Sequence, residues 1–386
     1  MCCIACLCRD VIEGAKPNVI RILHSGDLHL EAPLAEWGAS AAARREDFWA
    51  AFETLLALAA RHRAHLLLLA GNLFHSPRPT AAAVERVRTG LDALREQGTH
   101  AVLLPGSHDS LLVGDSVYRG EAFPGSTVLR SAPQPVPLQV GEHRVWLYGR
   151  SRFGLGSGAA EGGLNRSDAE GFHIGLVHEP EGSAPGSSVL PASEIRRWGL
   201  DYVAGGYARR MQELQDDGEI LGCLAGSPEG RDFRESGVRC AVLATVGGPA
   251  TGIETLTTCR RQLTERHLDL NGCDSQADAL EKIFALADGE LLLRLTLTGQ
   301  VETPLDCGAL TMAAAGKFHY LQLQDQTEFV GGRLAHRLAA GNDFQGLLVR
   351  RAQELWKRVE VKQRPVVDAA LRELLLRTGL RNGGES

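Results

Sequence analysis

Apolar and polar positions alternate in short blocks along the first third of the chain, and the period changes from block to block. Val19-Ile-Arg-Ile-Leu-His24 is β-branched and apolar and ends in a Ser-Gly turn, which predicts a strand. From about Ala41 to Arg63, Phe48, Phe52, Leu55, Leu56 and Ala59 recur at spacings of three and four, one apolar stripe of a helix. His65-Leu-Leu-Leu-Leu-Ala70 then predicts a buried strand closed by Gly71. Thr80 to Gln97 predicts a second helix behind Pro79, with Val84, Val87, Leu91 and Leu94 on one face. Ala101-Val-Leu-Leu104 is a third strand, stopped by Pro105-Gly106. This order requires parallel strands joined by helical crossovers.

Further strands are expected at His143–Tyr148, Phe172–Val177, Asp201–Ala204 and Val238–Val246, with a Gly-rich, mobile surface loop over Ser151–Gly163, for which a lid is the lesser reading. After about Thr251 the pattern changes. A helix over Ser275–Leu286 and a strand over Leu291–Leu297 predict a small α+β region. The end of the chain reads as two amphipathic helices. One carries Phe344, Leu347, Leu348, Leu355, Trp356 and Val359, and the other Val366, Ala370, Leu371, Leu374 and Leu375. Such helices more often pack on their own domain than on a partner. The expected division is 1–18 a disordered extension, 19–250 the main α/β domain, 251–340 the α+β region and 341–386 a helical segment.

Composition narrows the picture modestly. With 386 residues, 44% hydrophobic, the chain can bury a full core, and it contains no apolar run long enough for a membrane span. The net charge of -6 means that any nucleic-acid contact needs a local basic face. Arg44-Arg45, Arg196-Arg197 and Arg209-Arg210 are candidates, each set against the plainer reading of a solvated helix face. Cys2, Cys3, Cys6 and Cys8 crowd the N-terminus without the second pair a zinc finger needs, and read as part of a frayed extension or a misplaced start. The scattered Cys223, Cys240, Cys259, Cys273 and Cys307 read as reduced thiols of a cytoplasmic protein.

The chemistry lies just past the strand ends. Asp27 and His29 follow the first strand, Asn72 the second, and Ser107, His108 and Asp109 the third, while His178 ends a fourth. Ligand sites of α/β sheets form at the carboxyl ends of strands, so these loops should converge.

These residues resemble the motifs of the calcineurin-like metallophosphoesterases. Asp27-Leu-His29 looks like the opening D-x-H, Gly71-Asn72 stands for Gly-Asp, and Gly106-Ser-His-Asp109 for Gly-Asn-His-Asp. His178 matches the isolated ligand histidine, and Tyr207-Ala-Arg209 occupies the place of a final His-x-His. Flanking stretches such as Leu73-Phe-His-Ser-Pro-Arg-Pro79 and Ala225-Gly-Ser-Pro-Glu-Gly230 are similar to the SbcD-type DNA nucleases and their YhaO-like relatives.

The resemblance implies an αββα sandwich with a small α+β capping region and C-terminal helices. It implies a pair of divalent cations, usually manganese, that activate water for phosphodiester hydrolysis. Carried over, Asp27, His29 and His178 remain as ligands. Asn72 replaces the bridging aspartate, Ser107 replaces an asparagine, Tyr207 and Arg209 replace histidines, and His108 beside Asp109 resembles the residue pair that assists the leaving group. A guanidinium about 5 Å from a divalent ion costs on the order of 7 kcal/mol at an effective dielectric of about 20, unless Arg209 swings away, pairs with Asp27 or meets a phosphate. Two readings follow. One is a catalytically degenerate subunit holding few or no metals, which binds double-stranded DNA ends with a coiled-coil, SMC-like ATPase of the SbcC type and pairs as a homodimer. The other is an active manganese-dependent nuclease with an altered site. A phosphoesterase for small substrates fits the flanking stretches less well.

Overall fold

The computed structural model describes residues 19–130, 134–151, 153, 164–179, 190–329 and 332–378. The cysteine-rich N-terminus lies outside these residues, as does the Gly-rich loop apart from Ser151 and Phe153. The chain divides into two compact units. The first runs through Ala35, then Ala41–Glu229 and Arg239–Arg260. The second comprises Glu36–Ser40, Gly230–Val238 and the chain from Arg261 onward.

In the first unit, β1 (Ile20–Ser25), β2 (Leu66–Ala70) and β3 (His100–Leu104) lie parallel and adjacent, linked by α1 (Ala41–Arg61) and α2 (Ala81–Glu96), as the alternating periods predict. Thr80 caps α2 by accepting a hydrogen bond from the Ala83 amide at 3.2 Å. β4 (Thr127–Val128) extends this sheet beyond β3. On the other side, β11 (Cys240–Val246) and β12 (Gly252–Thr257) add antiparallel strands next to β1. The unit therefore continues past the change of pattern at Thr251.

A second sheet has the order β5 (Val136–Val140), β6 (His143–Ser151), β7 (Phe172–His178), β8 (Tyr202–Gly205), β10 (Glu219–Leu224), β9 (Gln212–Asp216). Strand alternation sends Ile20, Ile22, Leu66, Leu68, Val102 and Leu104 of the first sheet into one core with Val145, Leu147, Ile174, Leu176 and Ala204 of the second. The opposite faces are covered by helices. Phe48, Phe52, Leu55, Val87, Leu91 and Leu94 are buried on α1 and α2, and Ile195 and Trp198 of α3 (Ala192–Trp198) pack with Val177 and Val203. This is the expected αββα sandwich.

In the second unit, β13 (Leu263–Asp269), β14 (Asp288–Thr298) and β15 (Phe318–Asp325) form a parallel sheet connected through α4 (Gln276–Phe284) and α5 (Cys307–Ala313). The C-terminal helices α6 (Arg333–Ala340), α7 (Phe344–Arg358) and α8 (Arg364–Arg377) share its core through Ala335, Val349, Leu371 and Leu375. The expected stripe on α7 is rotated. Leu348, Val349, Ala352 and Trp356 face the core, whereas Phe344, Leu347 and Leu355 are 61%, 58% and 49% exposed. On α8, Val366 and Leu374 are likewise exposed.

Candidate active site

The loops after β1, β2, β3, β7 and β8 meet at one end of the sandwich, because parallel strands deliver their carboxyl ends to the same side. Backbone hydrogen bonds tie the loops to one another: Asp27 N to Gly71 O at 2.9 Å, His29 N to Asn72 O at 2.8 Å, and Gly206 N to Val177 O at 2.8 Å. The price is local strain, since Asp27, His29, Asn72 and Tyr207 all adopt left-handed φ values of 48–58°. Gly71, at φ 91°, has no such alternative: a β-carbon there would run into the His178 ring.

Asp27 is buried and fully engaged. Its Oδ1 accepts the Asn72 Nδ2 amide at 2.8 Å and faces His29 Nε2 at 3.6 Å, while Oδ2 accepts the Tyr207 backbone N–H at 2.7 Å. Burial alone raises its pKa. The hydrogen bonds from His29 and Asn72 and the charges of His178 and His29 outweigh burial and bring it to about 2.

The Asn72 amide has one possible orientation. Its Oδ1 accepts the His108 backbone N–H at 2.8 Å and the Ser107 hydroxyl at 3.4 Å. Because a backbone N–H can only donate, the amide nitrogen must turn toward Asp27. His178 donates from Nδ1 to Ala70 O at 2.9 Å, and its buried Nε2 has no hydrogen-bond partner. Tyr207 lies edge-on to that ring at 5.3 Å between centroids.

Sequence reasoning thus brings together Asp27, His29, Asn72, Ser107, His108, His178 and Tyr207. For two further residues the structure selects among the readings that the sequence left open. Arg209 is exposed and makes no ion pair among the described residues, so it neither fills the site nor neutralises Asp27. Asp109, expected beside His108 in the catalytic pair, holds loops together through its hydrogen bonds. Its Oδ1 accepts Gly106 N at 2.7 Å, and its Oδ2 accepts Phe74 N at 3.1 Å and the Tyr118 hydroxyl at 2.9 Å. Burial raises its pKa against the pull of these bonds.

Of the arginine pairs, Arg44 is wholly buried, paired to Asp47 at 2.6 Å and Glu229 at 2.8 Å. Arg196 is held by Asp216 and Glu219. Neither presents an unpaired charge to a phosphate.

One residue was missed. His75 sits with His29 and His108 in a cluster in which one ring nitrogen of each lies within 4.8 Å of the others, a set able to hold a metal ion. The signal was faint but present: each histidine lies four or five positions past the end of a neighbouring parallel strand, at Ser25, Ala70 or Leu104.

A bridged pair of cations requires a shared carboxylate and open lone pairs. Here the bridge position is a neutral amide, and it turns its Nδ2, which has no lone pair for a cation, toward Asp27. Within that set the buried His178 Nε2 keeps a lone pair without a hydrogen-bond partner. The residues present do not fit the pair.

Residues 20–204 match the family described as calcineurin-like phosphoesterase. The chain is 25% identical over 233 residues to a Bacillus subtilis (strain 168) protein described as "Uncharacterized metallophosphoesterase YhaO", covering 56% of this chain and 55% of that one. It is 30% identical over 125 residues to a subunit of the nuclease SbcCD from Escherichia coli (strain K12), covering 32% of this chain and 30% of that protein. The matches thus span about half of the first relative and less of the second. The crystal structure of TT1561 from Thermus thermophilus aligns at a TM-score of 0.37 and 14% identity, over 62% of this chain and 99% of that one.

Proposed function

Residues 20–204 form a calcineurin-like phosphoesterase domain, and from that premise we propose that the chain is an SbcD-like, nuclease-family subunit that has given up paired-metal catalysis. It acts on double-stranded DNA ends in the cytoplasm as a homodimer, together with a coiled-coil ATPase of the SbcC type. The observation that carries the loss of catalysis is the 2.8 Å hydrogen bond from Asn72 to Asp27, which occupies the position where the family's metal-dependent chemistry needs a shared anion.

The partner reading is supported by the similarity to the Escherichia coli protein, itself a subunit of a nuclease. It is also supported by the exposed apolar side chains of α7 and α8, Phe344, Leu347, Leu355 and Val366, which suit a helical partner. No helix among the described residues is long and apolar enough to cross a membrane. Co-expression with such an ATPase followed by gel filtration tests the assembly: a shared peak supports it, and separate peaks remove its main support.

The alternative is an active manganese-dependent exonuclease or endonuclease with an altered site, favoured by the unpartnered Nε2 of His178. An end-labelled linear duplex or hairpin assay in manganese separates the two. Cleavage that disappears in Asp27→Ala or His178→Ala would establish the active enzyme.

A further inference from the structure

We propose that His29, His75 and His108 form a mononuclear site for a borderline divalent cation of the zinc class, which shares only His29 with the ligand set of the metal pair. His75 belongs to none of the positions that the metallophosphoesterase resemblance assigns to metal, yet the fold delivers it to the other two histidines. Leu30 and Phe74 pair as a short parallel bridge. His75 N donates to Leu30 O at 2.9 Å, so the stretch after β2 runs alongside the stretch after β1. The Ser107-His108 turn adds the third ring, its backbone fixed by Asn72.

The geometry suits a metal. Nδ1 of His75 and Nδ1 of His29 are 3.4 Å apart. Two imidazole nitrogens bound tetrahedrally at about 2.0–2.1 Å from one zinc ion are about 3.4 Å from each other. The ring centroids of His108 lie 4.6 Å from those of both His29 and His75. One nitrogen from each of the three rings lies within 4.8 Å of the others.

The surrounding residues suit it as well. Nε2 of His29 faces Oδ1 of Asp27 at 3.6 Å, which directs the other nitrogen, Nδ1, into the cluster. That carboxylate–histidine arrangement is the one that orients metal-binding imidazoles and raises their basicity. It gives Asp27 a positioning role outside the coordination sphere. An all-nitrogen set selects zinc, cobalt, nickel or copper over magnesium, calcium or manganese. His29 is buried while His75 and His108 reach toward the surface, so the fourth position faces solvent, open to water or a ligand oxygen. The site stands whether or not the chain acts on DNA.

The test uses the full chain, dialysed against chelator and titrated with Co2+ alone and then Zn2+ alone. Bound metal and the visible cobalt spectrum are the readouts. One equivalent should bind with the strong visible absorption of a four-coordinate nitrogen site. His75→Gln and His108→Gln should each weaken binding by at least about tenfold, the lower end of what losing even an outer-shell partner costs. His178→Ala should leave the spectrum unchanged. Circular dichroism and thermal melting of the metal-free variants separate lost ligation from lost fold. Binding indifferent to His75→Gln in a folded variant overturns the proposal. So does loss of the spectrum in His178→Ala, which would place the cation in the family's position, and so does absence of any bound equivalent.

Discussion

Asn72 donates its amide N–H to Oδ1 of Asp27 across 2.8 Å, so the loops after β1 and β2 are joined side chain to side chain. The link is local chemistry with a wider effect. It satisfies a buried carboxylate without metal, and it is set by a backbone donor, His108 N, on the far side of the same amide. Asp27 and Asn72, the two residues that it joins, both sit in left-handed turns.

Asn72→Asp should reverse this balance. A second carboxylate against Asp27 removes a donor and adds a like charge, costing the metal-free protein about 1–3 kcal/mol. A divalent cation should then restore part of that stability. Denaturant melts with chelator and with manganese read both effects. Identical melts for the variant and the parent in both conditions would show that the bond matters little.

His24 predicts an acid-sensitive fold. It is fully buried between the Tyr202 hydroxyl at 3.3 Å and Gly205 O at 3.1 Å. Burial lowers its pKa from 6.5 to about 4, against the pull of the Gly205 hydrogen bond. Between those values the unfolded chain holds more protons than the folded one, so stability rises with pH across this window. It is complete above about 6.5 and falls by about 3 kcal/mol on acidification toward 4. His24→Gln should flatten that part of a stability-against-pH curve measured by denaturant melts.

Arg44 gives a stability prediction where sequence suggested a DNA contact. Removing it leaves Asp47 and Glu229 buried without their cation, so Arg44→Ala should cost about 3–5 kcal/mol. Its neighbour Arg45 donates to Pro33 O at 3.1 Å from an exposed position; Arg45→Ala should lower the melting temperature far less. Paired thermal melts compare the two.

Much of the fold was legible because its signals are periodic. The parallel β1–β2–β3 core and its crossover helices follow from blocks of period two and 3.6, and the site loops from polar residues at the strand ends. What escaped lacked period. β12 is an edge strand with mostly exposed side chains and carries no apolar alternation. The β9–β10 hairpin was announced only by Asp217-Gly218, both left-handed in the structure, a turn signal that went unread. On α7, Phe344 and Leu347 share the helical spacing of the true core residues, and spacing alone cannot say which edge of a stripe is covered. His75 gave only a faint signal as a ligand, because its neighbours His29 and His108 come from distant sequence and the Leu30–Phe74 bridge that sets it beside His29 has no periodic signature.

Anomalous diffraction from a crystal of this chain soaked in manganese tests the loss of paired-metal binding most directly. A site whose Asn72 amide turns its Nδ2 toward Asp27 should show no pair of manganese peaks among Asp27, Asn72 and His178. Two peaks a few ångströms apart, bridged by the Asn72 side chain, would contradict it.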